Sequence, residues 1–208
     1  MKTFVFVFLF LLSNISFAQT DSTLTLKKIL ITEGLVYGAS FYVLNDLWYV
    51  NYEKTKLHWY NDNNNWFQLD KVGHATTAYN LSSFNYYIFK TSGISNKKTI
   101  AYAGITSLIY LSTIELLDGY SKEWGSSPGD LIANLSGASL FVGQELMWEE
   151  QIVRVKFNFY PSDYNIQNPS LLGESLIEQS IKDYNAQTYW LSFNLNSCTQ
   201  TDYFPDWL

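Results

Sequence analysis

The chain has 208 residues, a formal net charge of −6 and a single arginine, Arg154, and it combines 18% aromatic with 15% charged residues. An acidic chain without a basic stripe excludes a nucleic-acid-binding surface. The lone cysteine, Cys198, excludes an internal disulfide and cannot by itself build a metal site. The excess of aromatic over charged residues favours a deeply packed bundle or a protein in contact with lipid.

The first 18 residues predict a secretory signal peptide. Lys2 supplies the positive start, residues 4–12 form an apolar stretch, and Ser16 to Ala18 form a small-x-small cleavage site. The apolar stretch has only about half of the roughly 20 residues that span a bilayer, which disfavours an uncleaved anchor. We therefore expect export to the cell envelope and a single mature domain over residues 19–208.

Four long helices are predicted between residues 26 and 148. The first covers 26–49, and a loop rich in Asn, Trp and Tyr follows at 50–69. The second runs from Asp70 to about residue 91 and the third covers 97–117. Ser127, Pro128 and Asp130 form a start signal for the fourth, which runs to about residue 148. The first and third helices are apolar enough to be buried either in protein or in lipid, and the sequence leaves both open.

The hydrophobic period changes from 3.6 to 2 after the fourth helix. Residues 151–160 and 187–196 alternate apolar and polar side chains, which predicts two strands that pair, with a short helical stretch at 172–182 between them. The fold class expected is mainly α: an antiparallel bundle of about four helices with a small C-terminal β-hairpin-like element in the region 151–208.

The few charged residues in the helices lie at helix ends and come in pairs at helical spacing. In an antiparallel bundle the start of the second helix, the end of the third and the start of the fourth share one end. The sequence therefore predicts one polar cluster. Its candidate catalytic residues are Asp70, His74, Glu115, Asp118 and Asp130, and its candidate binding residues are Lys71 and Asn134.

Each of these residues also has a structural interpretation. Asp70 is placed to be a helix N-cap, Asp130 to complete a capping box, and His74 to be a packing residue. Lys71 can pair with the acids at the end of the third helix. Distances separate the two interpretations, because a site requires the acids and the imidazole to surround a space that solvent can reach.

The segments DKVGH (70–74), ELLDGYSKEWGSSPGD (115–130) and DLIANLSGA (130–138) resemble an uncharacterised family of bacterial envelope proteins, predicted periplasmic lipoproteins. Their spacing is also similar to that of VanZ-like membrane proteins. The resemblance covers about residues 66–146 and implies an α-helical, membrane-associated envelope protein without an established reaction. The matched positions are Asp70, Lys71, His74, Glu115, Asp118, Asp130, Asn134 and Gly137. No cysteine stands at the predicted cleavage site to carry a lipid, and Asp118 stands where VanZ-like proteins carry glutamine.

Two functions compete. The first is a non-enzymatic envelope protein whose partner is a membrane lipid or another envelope protein. Its polar cluster would lock the bundle end, and an aromatic loop would lie at a membrane interface or on the partner: Trp48, Tyr49, Tyr52, Trp59, Tyr60, Trp66 and Phe67. The second is an enzyme acting on a lipid or cell-wall precursor, with His74 as general base or ligand and the carboxylates as acid partners or as ligands of a divalent cation.

Overall fold

The computed structural model describes residues 22–50 and 52–199. The predicted signal peptide at 1–18 lies outside the described residues. Within them, the long helices are α1 (Ser22–Leu44), α2 (Leu69–Lys90), α3 (Asn96–Asp118) and α4 (Pro128–Trp148). The sheet pairs β1 (Val153–Phe159) with β2 (Gln187–Phe193). The short helices are α5 (Tyr164–Gln167), α6 (Pro169–Leu172), α7 (Leu176–Lys182) and α8 (Leu195–Thr199).

The predicted four-helix bundle is confirmed. Helices α2, α3 and α4 run up, down and up, because short connectors reverse the chain between them. Helix α1 begins four residues earlier than the sequence predicts and continues into a π-helical turn, Asn45–Tyr49. It packs on the other helices through Ile29 and through the rings of Tyr37 and Phe41 against Tyr110.

The core lies between the helices and is built largely from aromatic and small side chains. One buried cluster joins residues of α1 to α4, namely Ile29, Tyr79, Tyr86, Phe89, Ile100, Ala103 and Phe141. A second, smaller cluster contains Ala78, Leu111 and Ala138. Aromatic rings in edge-to-face contact, such as Tyr79 on Phe141, supply much of this packing.

Gly137 sets the distance between α2 and α4. A Cβ atom at this position would lie 1.9 Å from the backbone oxygen of Ala75 on α2. Only glycine therefore permits this approach of the two helix backbones, as expected for a small residue at a helix crossing. The approach brings the polar side chains on the first turns of α4 against those of α2.

The loop before α2 is ordered because it pairs with the connector between α3 and α4. His58 donates its backbone N–H to Gly119 O at 3.0 Å, and Ser126 donates to His58 O at 3.0 Å. Isolated bridges also join Lys54 to Ser121 and Trp59 to Ser126. These backbone bonds hold the loop over the end of the bundle where α3 finishes and α4 starts.

The two predicted strands form the predicted antiparallel pair. Their register runs from Val153 opposite Phe193 to Phe159 opposite Gln187. The sheet docks on α2, where the hydroxyl of Tyr79 donates to Val153 O at 3.2 Å. The linker between the strands contains three short α-helices and a 3-10 helix, Tyr184–Ala186, rather than the one stretch that the sequence predicts.

One helix in the described part of the chain, Asn96–Asp118, is long and apolar enough to cross a membrane by length and composition. A third of its most apolar stretch is buried against the other helices.

Candidate functional site

The three helix ends that the topology predicts to coincide do meet. His74 on α2 contacts Glu115 on α3 and Asn134 on α4. The side chains of Asp70 and His74 keep 21% and 17% exposure, so solvent reaches the cluster from one side. The predicted residues thus surround a common region instead of each serving its own helix.

His74 lies at the centre of the site. Its Nδ1 lies 3.0 Å from Asn134 Oδ1, and this amide oxygen can only accept, so Nδ1 carries the proton. Its Nε2 then faces Glu115 Oε1 at 3.5 Å and Asp70 Oδ1 at 3.8 Å. Both separations exceed hydrogen-bond length, so Nε2 is directed at two acids without being bonded to either.

Glu115 replaces Asp130 in capping the fourth helix. Ser127 is the N-cap as predicted, because its Oγ accepts the backbone N–H of Asp130 at 3.2 Å. In a capping box the side chain of Asp130 would accept the backbone N–H of Ser127. Here that N–H donates instead to Glu115 Oε2 at 3.0 Å. The side chain of Asp130 is therefore left for the cluster, and the other oxygen of Glu115, Oε1, is buried without a hydrogen-bond donor.

The interpretation of Asp70 as an N-cap is wrong. Helix α2 begins at Leu69, and its N-cap is Gln68, a left-handed residue that makes no side-chain cap bond. Asp70 instead accepts a hydrogen bond from the hydroxyl of Tyr184 at 2.8 Å, across 114 residues of sequence. The short turn between α7 and β2 therefore closes one side of the site.

Lys71 is the cation of the cluster, and its main partner is a residue that sequence reasoning missed. Its Nζ lies 2.6 Å from Asp62 Oδ2, 3.1 Å from Asp130 Oδ1 and 3.4 Å from Asp70 Oδ2. The contact with Asp130 is an ion pair without hydrogen-bond geometry. Asp62 also accepts from Ser127 Oγ at 2.7 Å, so the loop before α2 is tied to the start of α4.

Asp118 lies one turn after Glu115 and belongs to the edge of the cluster. Its Oδ1 accepts the hydroxyl of Tyr49 at 2.7 Å. Tyr49 is buried, which corrects its assignment to an exposed aromatic loop. It packs edge-on against Trp124, and Tyr52 contacts the same ring.

Burial changes the protonation of the acids. Desolvation raises the pKa of Glu115 to about 8, partly offset by His74, and it raises the pKa of Asp130 to about 7. Desolvation likewise raises the pKa of Asp118 to about 6, against the hydrogen bond from Tyr49. Burial alone would lower the pKa of His74, but the charges of Asp70, Asp130 and Glu115 outweigh it and raise the pKa. The site therefore holds more protons than the same groups would in water.

Some of the residues that build the site carried no usable signal in the sequence. Asp62 lies in an Asn-rich stretch without a period, and Tyr49 and Tyr184 are two of 16 tyrosines. Only their long-range partners, Lys71, Asp118 and Asp70, distinguish them.

The fold and the site together define a helical bundle with an acid-rich cluster around one histidine near the start of α2. The model of the family described as "Predicted periplasmic lipoprotein (DUF2279)" matches residues 58–143, which confirms the resemblance to that family and the localisation in the cell envelope. This segment contains the whole cluster except its two tyrosines. The similarity to VanZ-like proteins is not shown by the comparisons and stays a prediction. No curated protein and no solved structure that was compared matches the chain.

Proposed function

We propose that the protein is a membrane-associated component of the envelope with a structural or binding role. The observation that carries this proposal is the distribution of polarity in α3 and α4. Their buried positions include Ser107, Glu115, Asn134 and Gln144, while their exposed positions are largely apolar. A helix in water places its charged residues outside.

The outer faces of these helices carry no charged side chain over most of their length. On α3 the exposed side chains include Ile105, Ile109 and Leu116, and on α4 they include Ile132, Leu135, Leu146 and Met147. Helix α1 adds Ile31, Leu35 and Tyr42. Exposed apolar residues of this kind mark an interaction site, and faces with few charges suit lipid hydrocarbon better than the polar rim of a protein interface.

The loop before α2 also supports contact with a membrane, at the end of the bundle where the cluster lies. Phe67 is 98% exposed, and it lies between Trp66 and Gln68 in a run of three left-handed residues. Trp59 and Trp66 are also more than half exposed. Aromatic side chains of this kind are enriched where a protein meets the membrane–water boundary. The cluster end of the bundle would then lie at that boundary.

Membrane fractionation tests the proposal. The exported chain is expected to stay with the membranes through a high-salt wash and to be released by detergent. Ile109→Lys, near the middle of the exposed face of α3, is expected to move a large part of it into the soluble fraction, because a charge in lipid hydrocarbon is strongly unfavourable. Tyr160→Lys is the matched control, since Tyr160 is 81% exposed but lies outside the helices, and it should leave the distribution unchanged. A wild-type chain that is soluble and monomeric without detergent would refute the proposal.

An enzyme acting on a lipid or cell-wall precursor is the second candidate. The orientation of His74 Nε2 toward two carboxylates favours it, since such an arrangement suits general acid–base chemistry. Two clefts among the described residues are not lined by His74 or by the carboxylates of the cluster: one of about 390 Å³ near Arg154 and one of about 310 Å³ near Tyr49 and Tyr52.

A further inference from the structure

We propose that His74, Asp70 and Asp130 bind one divalent transition-metal ion, such as Zn²⁺, with Glu115 as a fourth ligand. The inference goes beyond membrane association and does not depend on it. One ligand atom from each of the first three residues lies within 4.8 Å of the other two. These residues come from the first turns of α2 and α4, which the contact at Gly137 holds together.

The spacing around His74 Nε2 fits ligands that share an ion. Glu115 Oε1 lies 3.5 Å and Asp70 Oδ1 lies 3.8 Å from this nitrogen. Ligands at zinc distances of about 2.0–2.2 Å in a tetrahedral arrangement lie about 3.3–3.6 Å from one another. A direct hydrogen bond would bring nitrogen and oxygen to about 2.9 Å. The two separations from Nε2 are therefore closer to the spacing of ligands on one ion than to a direct hydrogen bond.

Glu115 supplies the observation that is independent of the clustering of acids. The residue is 1% exposed, and its Oε1 has no hydrogen-bond donor although it is directed at His74. Its other oxygen is fixed by the backbone of Ser127 at 3.0 Å, so the side chain cannot turn away without breaking that bond. Buried polar atoms are rarely left unpaired in folded proteins. A bound cation would satisfy this oxygen.

The orientation of His74 is that of a metal ligand. Its Nδ1–H donates to the buried oxygen of Asn134 at 3.0 Å, and in the neutral ring this leaves the lone pair of Nε2 facing the acids. Histidines that bind metals generally donate their other ring N–H to an oxygen in this way, which fixes the tautomer and the ring plane. Asn134 is then a positioning residue for the metal-binding ring.

The charges of the cluster also favour a cation. Five carboxyl groups gather here, those of Asp62, Asp70, Glu115, Asp118 and Asp130. Among the described residues the lysine that reaches them is Lys71, which lies 2.6 Å from Asp62 and also contacts Asp130 at 3.1 Å and Asp70 at 3.4 Å, so a single lysine is shared by three of the five carboxyl groups. An imidazole ligand among carboxylates selects Zn²⁺ or a neighbouring transition ion over Ca²⁺ and Mg²⁺, which prefer oxygen ligands alone.

Metal binding to the purified full chain tests the inference. After removal of metal with a chelator, titration with Zn²⁺ in a calorimeter is expected to give one site per chain, with affinity at least 100-fold higher than for Ca²⁺. Co²⁺ in its place should produce the visible absorption of a low-coordinate ion. His74→Ala is expected to lower the Zn²⁺ affinity at least 100-fold.

His58→Ala is the matched control, because the chain has two histidines and His58 contacts the backbone of Gly119 outside the cluster. It should change the affinity less than threefold. If His74→Ala does not fold, nitrogen NMR of the wild-type histidine rings tests the inference. Zn²⁺ should shift the resonance of His74 Nε2 and leave Nδ1 protonated. The inference is overturned by an absence of Zn²⁺ binding at about 100 µM metal, by equal affinity for Ca²⁺, or by a His74 resonance that Zn²⁺ does not move.

Discussion

The two ends of the helix bundle both bury polar side chains, but they differ in how those side chains are satisfied. At the far end, Gln144 and Gln151 form an amide network with each other, with Glu145 and with the backbone of Phe141 and Val153, at distances of 2.7–3.1 Å. At the cluster end, Glu115 Oε1 and Asn134 Nδ2 are buried without partners.

The difference separates a structural role from a binding role. The amide network is neutral at its centre and joins the end of α4 to the start of β1, so it stabilises the connection between bundle and sheet. The cluster end concentrates acids that burial disfavours in their charged form. Because these buried acids lower the stability of the fold, a binding role accounts for their presence better than a structural role does.

The largest effect is expected where the two helices of the cluster touch. Gly137→Ala should lower the free energy of unfolding by about 3 kcal/mol, because the new Cβ would overlap the backbone of Ala75. Gly143→Ala is the control on the same helix, since nothing lies within 4 Å of a Cβ there, and it should raise stability by up to about 1 kcal/mol. Denaturant unfolding of both variants measures the contrast, and equal effects would show that the close approach is not required.

The next largest change in unfolding free energy is expected at the far end of the bundle, and it can be compared directly with a variant at the cluster end. Gln144→Ala should lower the free energy of unfolding by about 2–3 kcal/mol, because it leaves the N–H of Val153 without its acceptor and Oε1 of Gln151 without its donor. Glu115→Gln at the cluster end should leave stability unchanged or higher in metal-free protein, because the amide keeps an acceptor for Ser127 and never carries the charge that burial disfavours. A comparable loss in both variants would make the cluster a second structural network.

The pH dependence should also come from the cluster end. Glu115 keeps its proton up to a pKa of about 8 in the folded chain but loses it near 4.5 when unfolded. The folded state then binds more protons across this window, so stability should fall as pH rises from about 5 to 8, by roughly 2 kcal/mol in the absence of metal. His74, whose pKa is also raised, acts in the same direction.

Unfolding curves at several pH values, with a chelator present, measure this slope. Glu115→Gln should flatten the curve, whereas Gln144→Ala should shift it down without changing its slope. A stability that rises over the same interval would show that the buried acids are ionised and satisfied in the folded chain.

The smallest effect on folding is expected for His74→Ala, at about 1 kcal/mol, because the ring makes a single hydrogen bond and keeps partial exposure. The same variant should abolish whatever binding or turnover the cluster supports. Thermal unfolding and Zn²⁺ titration of one preparation test both statements. A loss of several kcal/mol with binding intact would identify His74 as a packing residue.

The sequence by itself determined the helices, the strands and the place where the charges gather. Hydrophobic periods of 3.6 and 2 are local, so α2 to α4 and both strands lie within a few residues of their predicted bounds. The spacing of Asp70 and His74, and the alternation of helix directions, were enough to predict one shared end. Ser127 and Pro128 likewise mark the start of α4 through local capping chemistry.

Only the tertiary structure decided which groups satisfy one another. Tyr184 reaches Asp70 across 114 residues, and Tyr49 reaches Asp118 across 69, and neither pairing follows from a local pattern. Glu115 takes the capping contact that the local sequence assigns to Asp130, because the end of α3 lies against the start of α4. A period fixes the face on which a side chain lies, but its partner depends on which helix the folded chain places opposite that face.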